Sequence, residues 1–90
     1  MLYTAYLLLG SNLGNRKQYL QLAQKAIQQA CGKVTAASSI YQTAAWGLTN
    51  QPDFYNQVLI VQTELAPEIL MKTLLFIEET LGRIRTIKFG

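Results

Sequence analysis

Residues 2–9, Leu-Tyr-Thr-Ala-Tyr-Leu-Leu-Leu, form a short apolar and aromatic run that closes at Gly10. Its length and tyrosine content predict a buried strand. A turn cluster follows, Gly10-Ser11-Asn12-Leu13-Gly14-Asn15. Asn15 and Gln18 have the spacing of a capping box. Leu20, Ala23, Ile27, Ala30 and Cys31 then recur at helical spacing, with Gln and Lys between them, and Gly32 is the expected C-terminal stop. Residues 34–41 predict a second strand with Val34, Ala36, Ser38 and Ile40 on one face. Gly47, Pro52 and several polar groups predict a long loop over 42–53, before a third and strongest strand over 54–63. Pro67 opens a second helix at its first position, where a missing N–H costs nothing. Leu70, Leu74, Ile77 and Leu81 form the stripe of that helix, and Gly82 ends it.

The order is therefore β-α-β-β-α, an α+β pattern of the ferredoxin-like kind in which helices pack on a mainly antiparallel sheet. Such a unit continues with one more strand. Residues 84–90 read instead as a basic linker, so the following strand is expected to be lacking and residues 1–90 to form a single, incomplete domain. Residues 2–9 would then be an exposed apolar edge, which predicts self-association.

Composition narrows the function classes. Half of the 90 residues are hydrophobic and 14% are charged, which argues for a folded chain. No apolar run approaches the ~20 residues of a membrane span. The N-terminus lacks the basic and apolar regions of a secretory signal. One cysteine and no histidine exclude a disulfide framework, a Ser-His or Cys-His pair and a His-ligated zinc site. A cytoplasmic protein without membrane contact is the expectation, with Cys31 packed inside the first helix. The net charge of +3 is small, but Arg83, Arg85 and Lys88 fall within six residues. That suits a phosphorylated ligand better than a nucleic-acid stripe, though a solvated tail fits equally well. Tyr3, Tyr6, Phe54 and Tyr55 on strands would suit an RNA-binding sheet, yet the aromatic signature of that class is missing, so no nucleic acid is expected.

The motifs leave alternatives open. Gly10 to Lys17 is not a Walker loop, because its glycines are four apart and no Ser or Thr follows Lys17. Trp46, Phe54 and Asn56, in a segment running from Thr43, could hold a flat heterocycle and read its edge. Equally, Trp46 could cover the core and Phe54 simply begin a strand. Glu78 is an exposed helix carboxylate by default, or one at the sheet rim. Arg83 and Arg85 are alternate residues of an extended segment, so both can face one polyphosphate.

Taken together, Gly10-Ser11-Asn12-Leu13, Tyr41-x-Thr43, Trp46-Gly47, Gln51 to Asn56, Leu65 to Glu68, Ile77-Glu78, Gly82-Arg83-x-Arg85 and Phe89-Gly90 resemble the 6-hydroxymethyl-7,8-dihydropterin pyrophosphokinase family of folate biosynthesis. The whole length is similar to the N-terminal half of that family. The resemblance implies transfer of diphosphate from ATP to the hydroxymethyl group of a reduced pterin, with magnesium as cofactor. It implies a pterin site at Thr43, Ala44, Trp46, Phe54 and Asn56. It implies nucleotide contacts at Met71, Glu78, Arg83, Arg85 and Phe89, with Arg83 and Arg85 as catalytic cations. Three departures accompany it. Alanine stands at 44 and 45 where the family usually has a proline, the second stacking aromatic has no counterpart, and the Asp-x-Asp metal ligands are missing. The acids are Asp53, Glu64, Glu68, Glu78 and Glu79, so no metal-binding residue is assigned. The expectation is an incomplete pyrophosphokinase, inactive alone, whose remainder supplies an arginine and the Asp-x-Asp. The rival is a non-catalytic module that binds a pterin or nucleotide or serves only in interaction.

Overall fold

The computed structural model describes residues 1–12, 14–45 and 52–82, together with the backbone of 86–89. Within them lie β1 (Tyr3–Ser11), α1 (Arg16–Ala30), β2 (Gly32–Ala37), β3 (Tyr41–Thr43), β4 (Phe54–Thr63), α2 (Pro67–Leu81) and β5 (Thr86–Phe89). The strands make one antiparallel sheet in the order β2-β4-β1-β5, with β3 also paired to β4. Each helix connects two strands that lie either side of a third. That is the interleaved arrangement of a ferredoxin-like α+β fold.

Strand alternation decides what the helices cover. Ala5, Leu7 and Leu9 of β1 and Leu59 and Val61 of β4 all point to one side and are at most 1% exposed. Leu20, Ala23 and Ile27 of α1 and Leu70, Leu74 and Ile77 of α2 pack onto them. Ala30, expected in the α1 stripe, is exposed, and Cys31 takes the innermost place at that end. Asn15 caps α1, its side chain accepting from the Gln18 N–H at 3.1 Å. Pro67 stands at the start of α2, as its fixed φ favours.

Several boundaries differ from the sequence pattern. The first strand runs through Gly10 to Ser11, and α1 stops at Cys31, leaving Gly32 as the first residue of β2. At Gly32 a β-carbon would collide with the Gln62 carbonyl oxygen, so glycine permits the close approach of β2 to β4. Thr63 ties the same corner together: its hydroxyl donates to the Cys31 carbonyl at 2.5 Å and accepts from the Leu65 N–H at 3.0 Å. The single strand expected over 34–41 is broken. A bulge shifts the register between Val34 and Ala36, which ends the shared face read from the sequence. Ser38 then continues the pairing with Val58 through both its N–H and its hydroxyl. Pairing resumes as β3 from Tyr41, the last residue of the expected strand, through Gln42 and Thr43 of the expected loop.

The largest correction concerns the strand expected to be lacking. Thr86–Phe89 pairs with β1, from Leu7 opposite Phe89 to Gly10 opposite Thr86. Thr86, Ile87 and Phe89 are strand formers, and Lys88 among them gave the segment the look of a basic linker. The β1 edge is therefore not bare over 2–9. The described β5 pairing covers Leu7 to Gly10 of β1 and does not reach Tyr3–Tyr6.

Candidate functional site

Three strands converge where β1 ends and β4 begins. Gly10 lies opposite Asn56, Asn56 opposite Tyr41, and Thr43 opposite Phe54. Because Leu9 and Leu59 face the helices, alternation turns Gly10, Phe54 and Asn56 to the other face of the sheet. The Asn56 amide nitrogen donates to Thr43 Oγ1 at 2.9 Å and to the Tyr41 carbonyl at 3.3 Å. Both amide hydrogens are thereby used, so the side chain is fixed and presents Oδ1 as an acceptor. A β-carbon on Gly10 would stand 3.2 Å from that oxygen and 3.8 Å from Cδ1 of Phe54. The glycine lets the amide oxygen and the ring edge lie close over the β1 backbone. Such a surface suits a flat heterocycle whose edge carries N–H donors.

The opposite face of the same strands holds a different set of contacts. Arg16 donates from Nη1 to the Asp53 carbonyl at 2.7 Å, and its guanidinium lies 4.0 Å from the centre of the Tyr55 ring. Gln42 donates to Asp53 Oδ2 at 2.8 Å, and Asn12 to the Pro52 carbonyl at 3.4 Å. Lys17, Ile40, Tyr41, Gln42 and Tyr55 line an open cavity of about 360 Å³ beside them. These bonds anchor the chain just ahead of Phe54.

The structure thus brings together Thr43, Phe54 and Asn56, with Ala44 the exposed neighbour of Thr43. Met71 and Glu78 lie apart on α2, each one residue beyond a buried position; Met71 is exposed and Glu78 half-buried. Phe89 is placed by its backbone opposite Leu7. Trp46, Arg83 and Arg85 lie outside the described residues. Two residues escaped the sequence reading. Gly10 looked like turn punctuation, although a glycine within a strand signals close approach. Arg16 carries no local signal, since its partners are 37 and 39 residues away.

Among the described residues no three His, Cys, Asp or Glu side chains gather as a metal site. Asp53 is hydrogen-bonded to Gln42. The acids present do not fit a magnesium centre. Burial pushes the Cys31 thiol up from its ordinary value of 9.0, which suits packing and not nucleophilic chemistry.

Residues 6–90 match the family model described as 7,8-dihydro-6-hydroxymethylpterin-pyrophosphokinase (HPPK). A 2-amino-4-hydroxy-6-hydroxymethyldihydropteridine pyrophosphokinase of Bacillus subtilis is 40% identical over 87 residues, covering 96% of this chain and 52% of that protein. A Haemophilus influenzae protein of the same name is 40% identical over 88 residues, 97% of this chain and 55% of its own length. The folic acid synthesis protein fol1 of Pneumocystis carinii is 41% identical over 85 residues, which are 94% of this chain and 12% of that protein. The chain spans about half the length of the bacterial relatives it matches.

Proposed function

The chain belongs to the 7,8-dihydro-6-hydroxymethylpterin-pyrophosphokinase family, and from that membership we propose that it serves diphosphate transfer from ATP to 6-hydroxymethyl-7,8-dihydropterin in folate biosynthesis. In that reaction the pterin hydroxymethyl oxygen forms a bond to the β-phosphorus of ATP. The bond from that phosphorus to the α,β-bridging oxygen breaks, the hydroxyl proton passes to solvent, and AMP leaves. The observation that carries this reading is the Asn56 amide, locked by Thr43 and Tyr41 beside Phe54 and close over Gly10. Asn56 Oδ1 accepts from the pterin edge, Phe54 covers a ring face, and Thr43, Ala44 and Trp46 complete the pocket. Met71, Glu78 and Phe89 belong to the nucleotide half of the site, and Arg83 and Arg85 bear on the polyphosphate as cations. Magnesium supplies charge neutralisation in chemistry of this kind, but the acids present do not fit it and no step is assigned to it. A cytoplasmic location follows from the same substrates.

Pterin fluorescence titration tests the reading directly. The wild-type protein is expected to bind 6-hydroxymethylpterin. Asn56→Ala is expected to bind at least tenfold more weakly, the loss of about one oriented hydrogen bond from a desolvated site. Equal affinity of the two proteins would refute the assignment. A second reading is a module that binds the pterin without turnover. AMP release from ATP and magnesium in the presence of the pterin excludes that module; pterin binding without magnesium-dependent ATP affinity supports it.

A further inference from the structure

We infer that Arg16 is a positioning residue for Phe54 and Asn56, acting on them from the opposite face of the sheet. This rests on the pterin reading of the site. Two contacts define the role. The Nη1 donor grips the carbonyl of Asp53, the residue immediately before Phe54, at 2.7 Å. The plane of charge lies 4.0 Å from the ring centre of Tyr55, the residue between Phe54 and Asn56. One guanidinium therefore fixes the backbone on the near side of Phe54 and the side chain between the two ligand-facing residues. A planar fork can do both at once, stacking through its face and donating from its edge.

Arg16 is well seated for this. It is the first residue of α1, directly after Asn15, whose side chain caps that helix through Gln18. Its own Cα is held by a packed helix, while its tip reaches the start of β4. Strand alternation carries the effect through the sheet: a rotation of the chain at Tyr55 moves Phe54 and Asn56 together. Arg16 does not touch the ground between Phe54 and Asn56, so its contribution lies in their pose.

The test compares Arg16→Met, Arg16→Lys and the exposed-helix control Lys25→Met. Arg16→Met is expected to raise the Kd for 6-hydroxymethylpterin roughly tenfold and to leave ATP affinity within twofold, with Arg16→Lys recovering part of the loss and Lys25→Met matching wild type. A structural role alone would lower both affinities together. In the ligand-free protein, the Asn56 side-chain amide resonances are expected to shift in Arg16→Met and to stay near wild type in Lys25→Met. Wild-type pterin affinity in Arg16→Met, or equal losses for pterin and ATP, would overturn the inference. Should the wild-type protein fail to bind pterin, the functional reading falls, and the Asn56 resonances then decide the brace alone: shifted, it stands; unchanged, it falls. If Arg16→Met does not fold, the same measurements on Arg16→Lys decide, with wild-type values in every one of them counting against the brace.

Discussion

The two faces of the sheet are built from the same strands but to different ends. On the helix side, Leu7, Leu9, Leu59 and Val61 are fully buried and nearly uniform in chemistry. On the other side, Tyr6 is 53% exposed, Leu8, Val58 and Ile60 are half-buried, and Gly10, Phe54 and Asn56 gather at one end. A face sealed by helices contributes through area removed from water, so any methylene deleted there is felt. A face without that cover contributes little per residue and is free to carry polar geometry. The difference shows how one short domain can keep its stability and its candidate site on the same strands: alternation gives each its own face.

Breaking the sealed face gives the largest effect. Leu59 sits in the central strand at 0% exposure, opposite Leu7. Leu59→Ala is expected to cost about 3 kcal/mol of unfolding free energy, from lost transfer and the cavity left behind. In a chain of this size that lowers Tm by on the order of 10–20 °C. Thermal unfolding followed by circular dichroism checks it, and a fall of only a few degrees would mean that the helices do not close over β4 as described.

Sharpening the comparison means altering the open face where it matters for binding and not for stability. Gly10→Ala places a β-carbon 3.2 Å from Asn56 Oδ1. The expected result is roughly tenfold weaker pterin binding, the usual scale for one methyl group in a fitted pocket, with Tm within a few degrees of wild type. An unchanged pterin Kd would show that the pose of Asn56 over Gly10 does not govern binding.

The sealed face was legible because its signals are periodic. Leu20, Ala23 and Ile27 at helical spacing, and Leu70, Leu74 and Ile77 after Pro67, each fall on a buried position. Asn15 and Gly82 fall at helix ends as expected. The open face was less legible because its features depend on long-range pairing. The bulge after Val34 has no local marker, and Thr86–Phe89 is too short to announce a strand until β1 is there to receive it. Phe54 and Asn56 were read from the motif and Thr43 was added by resemblance; Thr43 is bonded to Asn56 and paired in register with Phe54. Gly10 and Arg16 were given no site role, since their importance is defined by what stands opposite them and not by their neighbours in the chain.

The smallest effect belongs to the part of the open face away from the site. Tyr6 lies opposite Ile60 on that side, with half its surface in water. Tyr6→Thr keeps a strand-forming residue and removes one cross-strand contact, so the expected loss is under about 1 kcal/mol. The pterin Kd should not move, because Gly10 and Asn56 pair four residues further along each strand. Tyr6 also falls in the stretch that β5 leaves unpaired, so the same substitution reports on association through that edge. Sedimentation of both proteins over a range of concentrations separates the two roles. A dimer lost in Tyr6→Thr would mark the edge as an interface. A Tm drop as large as that of Leu59→Ala would instead show that the open face is covered in solution, and the contrast between the faces would have to be redrawn.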